Sequence, residues 1–76
     1  MGSQVAVITG GAQGIGKQTA HVLNELGWSL LLLDLQEIDV TIYNDALSLA
    51  GDITSETFVQ SALDVTMKRF GRVDAL

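Results

Sequence analysis

Residues 4–9 are apolar and β-branched with little alternation, the pattern of a parallel strand buried on both faces. Glycines then crowd residues 10–16. From Gly14 to Leu26 the apolar positions Ile15, Val22, Leu23 and Leu26 recur at helical spacing, and Thr19 and Ala20 are small enough to pack closely. Gly27 is a good helix stop. A second buried strand is predicted from Trp28 or Ser29 to Leu33, ending at Asp34. Residues 36–44 carry Ile38, Val40, Thr41 and Ile42, β-branched and weak helix formers, so a short, poor helix or an irregular connection is expected there. Residues 46–50 read as a third strand that runs into Gly51 and Asp52.

Ser55 can cap a second long helix that runs to Phe70, with Glu56 favourable in its first turn. Phe58, Val59, Ala62, Leu63, Val65, Met67 and Phe70 give that helix a broad apolar face, and Gly71 ends it. Residues 73–76 look like a fourth strand cut short. The order β-α-β-(α)-β-α-β predicts one half of a doubly wound α/β fold, a parallel sheet of about four strands.

The chain has 76 residues, about half of the ~150 typical of a domain. It holds no Cys, which removes a disulfide framework and a Cys-based zinc site. With 47% hydrophobic residues it is too apolar for disorder. The net charge is −5, and Lys17 is the only basic residue before Lys68, so nucleic-acid binding is not expected. The longest apolar run, Leu30 to Leu33, is far too short to span a bilayer. The expected location is the cytoplasm. An acidic protein that binds a phosphate compound must use backbone dipoles, and that directs attention to the glycines.

Thr9-Gly10-Gly11-Ala12-Gln13-Gly14-Ile15-Gly16 joins a strand to a helix start. Backbone N–H groups at a helix N-terminus face an anion, and missing side chains let it approach. Gly10 permits the tight turn, Gly14 leaves room for a pyrophosphate, and Gly16 lets the helix lie close. The N–H of Ile15, and that of Gln13, would face the phosphates. Asp34 closes the second strand and can accept hydrogen bonds from both ribose hydroxyls. A 2′-phosphate there would be repelled, and with Leu35 next to it no Arg offsets the repulsion, so NAD is read rather than NADP.

The pattern T-G-x-x-x-G-x-G resembles the short-chain dehydrogenase/reductase family, in its single-domain form, over essentially the whole chain. Asp34 stands where the family reads the adenosine ribose. Residues 51–54 (Gly-Asp-Ile-Thr) stand where it contacts adenine, which assigns Asp52 and the backbone of Ile53 to the base. Residues 70–76 are similar to the segment that leads into the family's N-N-A-G element. The resemblance implies a Rossmann-like cofactor half of an NAD-dependent oxidoreductase. Such an enzyme moves a hydride between the nicotinamide and a small alcohol or ketone, in a homo-oligomer. The family's catalytic Ser and its Y-x-x-x-K pair are absent from residues 1–76: Tyr43 is the only Tyr, and position 47 is Leu. No catalytic or metal-binding residue is therefore assigned, and the chain alone is expected to turn nothing over.

Two other readings stand beside this one. A non-catalytic dinucleotide-binding or assembly module would keep the cofactor half and use an exposed sheet edge for a partner. A phosphate-loop nucleotide binder is suggested by residues 11–17, but Gln18 stands where a Ser or Thr must hold magnesium. His21 and Trp28 are read as structural, and Lys17 as a solvated helix residue.

Overall fold

The structure, a computed structural model, describes residues 4–74. Its elements are β1 (Val5–Thr9), α1 (Gly14–Glu25), β2 (Ser29–Asp34), a single 3-10 turn (Val40–Ile42), β3 (Ala46–Ala50) and α2 (Glu56–Phe70). The three strands are parallel in the order β1-β2-β3. The register pairs Val7 with Leu31 and Leu32 with Ser48. β2 lies between the others, and Leu30, Leu31 and Leu32 are wholly buried. That is why its sequence is an unbroken apolar run and not an alternating one.

Alternate residues of the strands feed two cores. Ala6, Ile8, Leu30 and Leu32 pack with Ala20 of α1 and with Tyr43. Val7, Leu31 and Leu33 pack with Ala62 of α2 on the opposite face. Helices on both faces of a parallel sheet are the α/β arrangement expected from the chain order. The fourth strand expected over residues 73–76 falls partly outside the described residues, at 75 and 76, and residues 73 and 74 are in no strand. The N–H of Asp74 donates to the carbonyl of Val5 at 2.8 Å, and the N–H of Val5 donates to Asp74 Oδ2 at 2.8 Å. Residue 74 thus lies on the edge of β1 that β2 leaves free. Among the described residues no helix is long and apolar enough to cross a membrane.

The apolar stripe of α1 sits differently from the expected one. Ile15, Val22 and Leu26 are exposed, Ile15 to 85%. The sheet-facing side is Gly16, Ala20 and Leu23, of which Leu23 and Ala20 were expected to pack. The reason is the closeness of the packing. A Cβ on Gly16 would run into the carbonyl oxygen of Gly10 and come within 2.9 Å of that carbonyl's carbon. At this end of the helix only small residues let it lie so near, and Ile15 turns outward. Met67 of α2 is likewise exposed, with Ala62 and Thr66 at the centre of the buried face.

The β2–β3 connection, residues 35–45, has no α-helix, although parallel crossovers of about a dozen residues usually contain one. Tyr43 fills the space over the sheet and is 6% exposed. Its hydroxyl is buried without a hydrogen-bond partner among the described residues. His21 leans on it from α1, with ring centroids 5.3 Å apart and planes tilted by 46°. Without a helix, backbone donors must find other acceptors. Asp34 Oδ1 accepts from Gln36 N–H at 3.1 Å, and Asp39 Oδ1 accepts from Thr41 N–H at 2.9 Å. Ser48 Oγ accepts from Ile38 N–H at 3.0 Å, and Asn24 Oδ1 accepts from Asn44 N–H at 2.8 Å. After β3 the same device recurs, where Asp52 Oδ1 accepts from Thr54 N–H at 2.9 Å.

Three measurements check this account. Tyr43→Phe removes a buried hydroxyl that has no partner among the described residues, so it is expected to raise the unfolding free energy in urea by about 1 kcal/mol; a loss of that size would show the hydroxyl to be bonded. Gly16→Ala is expected to cost about 2–3 kcal/mol or to prevent folding, because the new methyl meets backbone rather than a movable side chain. The hydrogen bonds from Gln36, Thr41 and Thr54 hold the carboxyls of Asp34, Asp39 and Asp52 below their ordinary range. Carboxyls lowered in the folded state stabilise it above their unfolded values, and that contribution is lost as the pH falls through the folded ones. The urea midpoint is therefore expected to be flat from about pH 8 to 5 with respect to these groups and to drop below about pH 4.

Candidate cofactor site

Because the strands are parallel, their carboxyl ends open on one rim. The N–H of Gly10 donates to the carbonyl of Leu33 at 2.8 Å, and that of Gly51 donates to the carbonyl of Asp34 at 2.9 Å. The turns after β1, β2 and β3 therefore leave side by side. Between them lies a cleft of about 320 Å3 lined by Gly10, Asp34, Leu35, Gly51, Asp52, Ile53 and Thr54. Open α/β sheets bind ligands in such a crevice outside the strand carboxyl ends. Five residues singled out in the sequence, Gly10, Asp34, Leu35, Asp52 and Ile53, meet there.

Asp34 is half-buried at the end of β2. Its Oδ1 takes the N–H of Gln36, and its Oδ2 takes the N–H of Ala12 at 3.2 Å. These two donors, Gln36 first, favour the ionised carboxylate. They also tie the glycine turn to the β2–β3 connection through one side chain. Each carboxylate oxygen keeps acceptor capacity beyond its single backbone bond. Asp52 is more committed to its own turn, since its Oδ1 accepts both the N–H and the hydroxyl of Thr54, the latter at 2.7 Å. That leaves Oδ2 as the atom of Asp52 not taken up by the turn.

The two helix starts differ. Ser55 caps α2 by accepting from the N–H of Phe58, and Glu56 lies in its first turn. At α1, Gln13 makes no side-chain cap hydrogen bond, and the first turn holds no acidic residue. The first N–H groups of a helix have no partner within it, so those of Gly14, Ile15 and Gly16 are open to an outside acceptor, and the dipole favours an anion. Gly14 has φ +61°, which a side chain would strain, and a Cβ there would meet nothing within 4 Å. Gln13 and Gly14 are exposed on the turn. Ile15 and Gly16 line a neighbouring groove with Val7, Ile8, Thr9 and Thr19.

A second hollow, of about 190 Å3, opens on the other side of the turn, where Gly11, Ala12 and Lys17 face Gln36, Ile38 and Tyr43. The sequence reading missed Ala12 and Gln36, and named Thr54 only as part of the 51–54 segment. Ala12 and Gln36 act through backbone N–H groups, which residue types do not announce. For the bonds of Thr54 to Asp52 the visible signal was a Thr two residues after an Asp.

Comparison with known proteins adds a family to this geometry. The family model for short chain dehydrogenases matches residues 4–76. Short-chain dehydrogenase reductase 5 of Arabidopsis thaliana is 37% identical over 79 residues, covering 96% of this chain and 30% of that protein. The human 3-hydroxyacyl-CoA dehydrogenase type-2 is 44% identical over 75 residues, covering 92% of this chain and 29% of that protein. The chain thus spans about a third of the length of the curated relatives it matches. Among solved structures, a 3-ketoacyl-(acyl-carrier-protein) reductase from Brucella melitensis complexed with NADH superposes with a TM-score of 0.86 at 29% identity, over 96% of this chain and 32% of that one. A metagenomic short-chain oxidoreductase in complex with NADP superposes equally well, with a TM-score of 0.86 at 26% identity, over 100% of this chain and 38% of that one. With its glycine turn, its parallel sheet and a family match along nearly its whole length, this chain belongs to the short chain dehydrogenase family and carries part of that family's Rossmann-like nucleotide-binding fold.

Proposed function

We propose that this chain is the cofactor-binding part of an oxidoreductase, and that its cofactor is NAD rather than NADP. The enzyme would move a hydride between the nicotinamide and a small alcohol or ketone. The observation that carries the reading is the Asp34 carboxylate, held by two backbone N–H groups on the rim of the cleft. It is ionised at neutral pH, accepts from hydroxyl groups and repels a phosphate brought beside it.

The groups present fit a dinucleotide. The N-terminus of α1 offers uncapped N–H groups for phosphate oxygens. Asp34 offers acceptors for ribose hydroxyls. Leu35 and Ile53 are exposed apolar side chains on the cleft wall and suit the flat faces of a base. In this reading Gly10, Gln13, Gly14, Ile15 and Gly16 form the phosphate turn, and Asp52 and Ile53 border the base. The bound cofactor would supply the hydride acceptor or donor, while these residues bind and orient it.

Calorimetric titration of the purified protein tests the reading. NAD is expected to bind with a lower Kd than NADP. Asp34→Ala is expected to weaken NAD about tenfold, the worth of about one hydrogen bond to a charged group, and to narrow the gap to NADP. Equal or tighter binding of NADP by the unaltered protein would overturn the NAD assignment. The absence of binding by either would overturn the cofactor site.

A further inference from the structure

In the β3 segment Ala46-Leu-Ser-Leu-Ala50, Ser48 stands opposite Leu32 of β2. Leu32 belongs to the core on the α1 side, whereas Leu47 and Leu49 pack against the core on the other face. Alternation therefore turns Ser48 toward the β2–β3 connection. A hydroxyl at this position adds nothing to the apolar packing. It accepts the N–H of Ile38 at 3.0 Å.

Ile38 stands between that hydroxyl and the candidate site. Its Cδ1 lies over the buried Gly11, 3.4 Å from where a Cβ on that glycine would be. The next residue, Ala12, donates to one oxygen of Asp34, and Gln36, two residues before Ile38, donates to the other. Two short routes thus run from Ser48 to the same carboxylate: through the Ile38 side chain to the glycine turn, and along the backbone to Gln36. No helix fixes residues 35–39; what ties them to the sheet is this hydrogen bond, the bond of Gln36 to Asp34 and the packing of Ile38 on the core.

Building on the NAD reading above, we propose that Ser48 is a positioning residue for cofactor choice: its hydroxyl holds Ile38 so that Asp34 stays aimed at the adenosine ribose. It touches no cofactor itself. When the hydroxyl is lost, the connection drifts and Gln36 leaves the carboxylate. Asp34 can then turn away from a 2′-phosphate, so the preference for NAD over NADP shrinks.

The test compares Ser48→Val with Ser48→Thr, which have nearly the same shape and differ in the hydroxyl. Kd values for NAD and NADP are measured on each purified protein by calorimetry, and amide hydrogen exchange at Gln36 and Ile38 is measured without cofactor. Ser48→Val is expected to reduce the NAD:NADP preference about five- to tenfold, the order of one hydrogen bond to a charged acceptor, and to speed exchange at both amides. Ser48→Thr is expected to keep both properties. Asn24→Ala serves as the control for simple loosening, because it removes the acceptor of Asn44 N–H at the far end of the same connection. It is expected to lower stability and leave the preference intact.

If the unaltered protein does not prefer NAD, the cofactor reading fails and the role of Ser48 fails with it. If the unaltered protein prefers NAD and Ser48→Val keeps that preference, the Ser48 proposal alone is overturned. The same holds if Ser48→Thr loses the preference or Asn24→Ala reduces it equally. Should Ser48→Val not fold, Ser48→Ala replaces it under the same criteria.

Discussion

β2 is buried on both faces and bonded along both edges, so its backbone is satisfied by its neighbours and its side chains by the two cores. The turns that leave its rim have no such neighbours. Some N–H groups there reach backbone carbonyls, as those of Gly10 and Gly51 do; the others must find water, a side chain or a ligand, because an orphaned donor costs as much as a lost hydrogen bond. The acceptors that answer are Asp34, Asp39, Ser48 and Asp52. Three of them start or brace the turns around the cleft. Turn chemistry and candidate site chemistry are therefore carried by the same residues.

The start of α1 stands apart from this accounting. The start of α2 is capped by Ser55, whereas the start of α1 lacks any side-chain cap. The helix also presses so close to the turn that Gly16 has no room for a Cβ. Close packing and open donors go together here. A capping side chain would occupy the space an anion needs, and a bulky residue at position 16 would lift the helix off the turn. That packing also puts Ile15, Val22 and Leu26 on the outer side of the helix.

Asp34 links these parts. Bonds to Ala12 and Gln36 draw the glycine turn and the β2–β3 connection onto one carboxylate. A free carboxylate at a strand end would swing in solvent. Held from two sides, it presents a fixed negative charge at the cleft, and a fixed charge discriminates between ligands better than a mobile one.

Much of this was legible in the residues. The strands were readable because each is a short apolar run, and β3 falls on the residues expected for it. The helix ends were readable because Ser55, Gly27 and Gly71 are strong local signals. The glycine spacing and Asp34 pointed to a dinucleotide cleft, and the structure brings Gly10, Asp34, Leu35, Asp52 and Ile53 to its rim. Three features required the tertiary structure. Periodicity put Ile15, Val22 and Leu26 together with Leu23 on the apolar positions of α1, and only the close approach of Gly16 to Gly10 showed that the first three face outward. The connection at residues 36–44 had no strong local preference, so Tyr43 and the acceptors around it decided its path. The partners of Asp34 are backbone N–H groups, which every residue but proline has, so the sequence could name the carboxylate and only the fold could say what holds it.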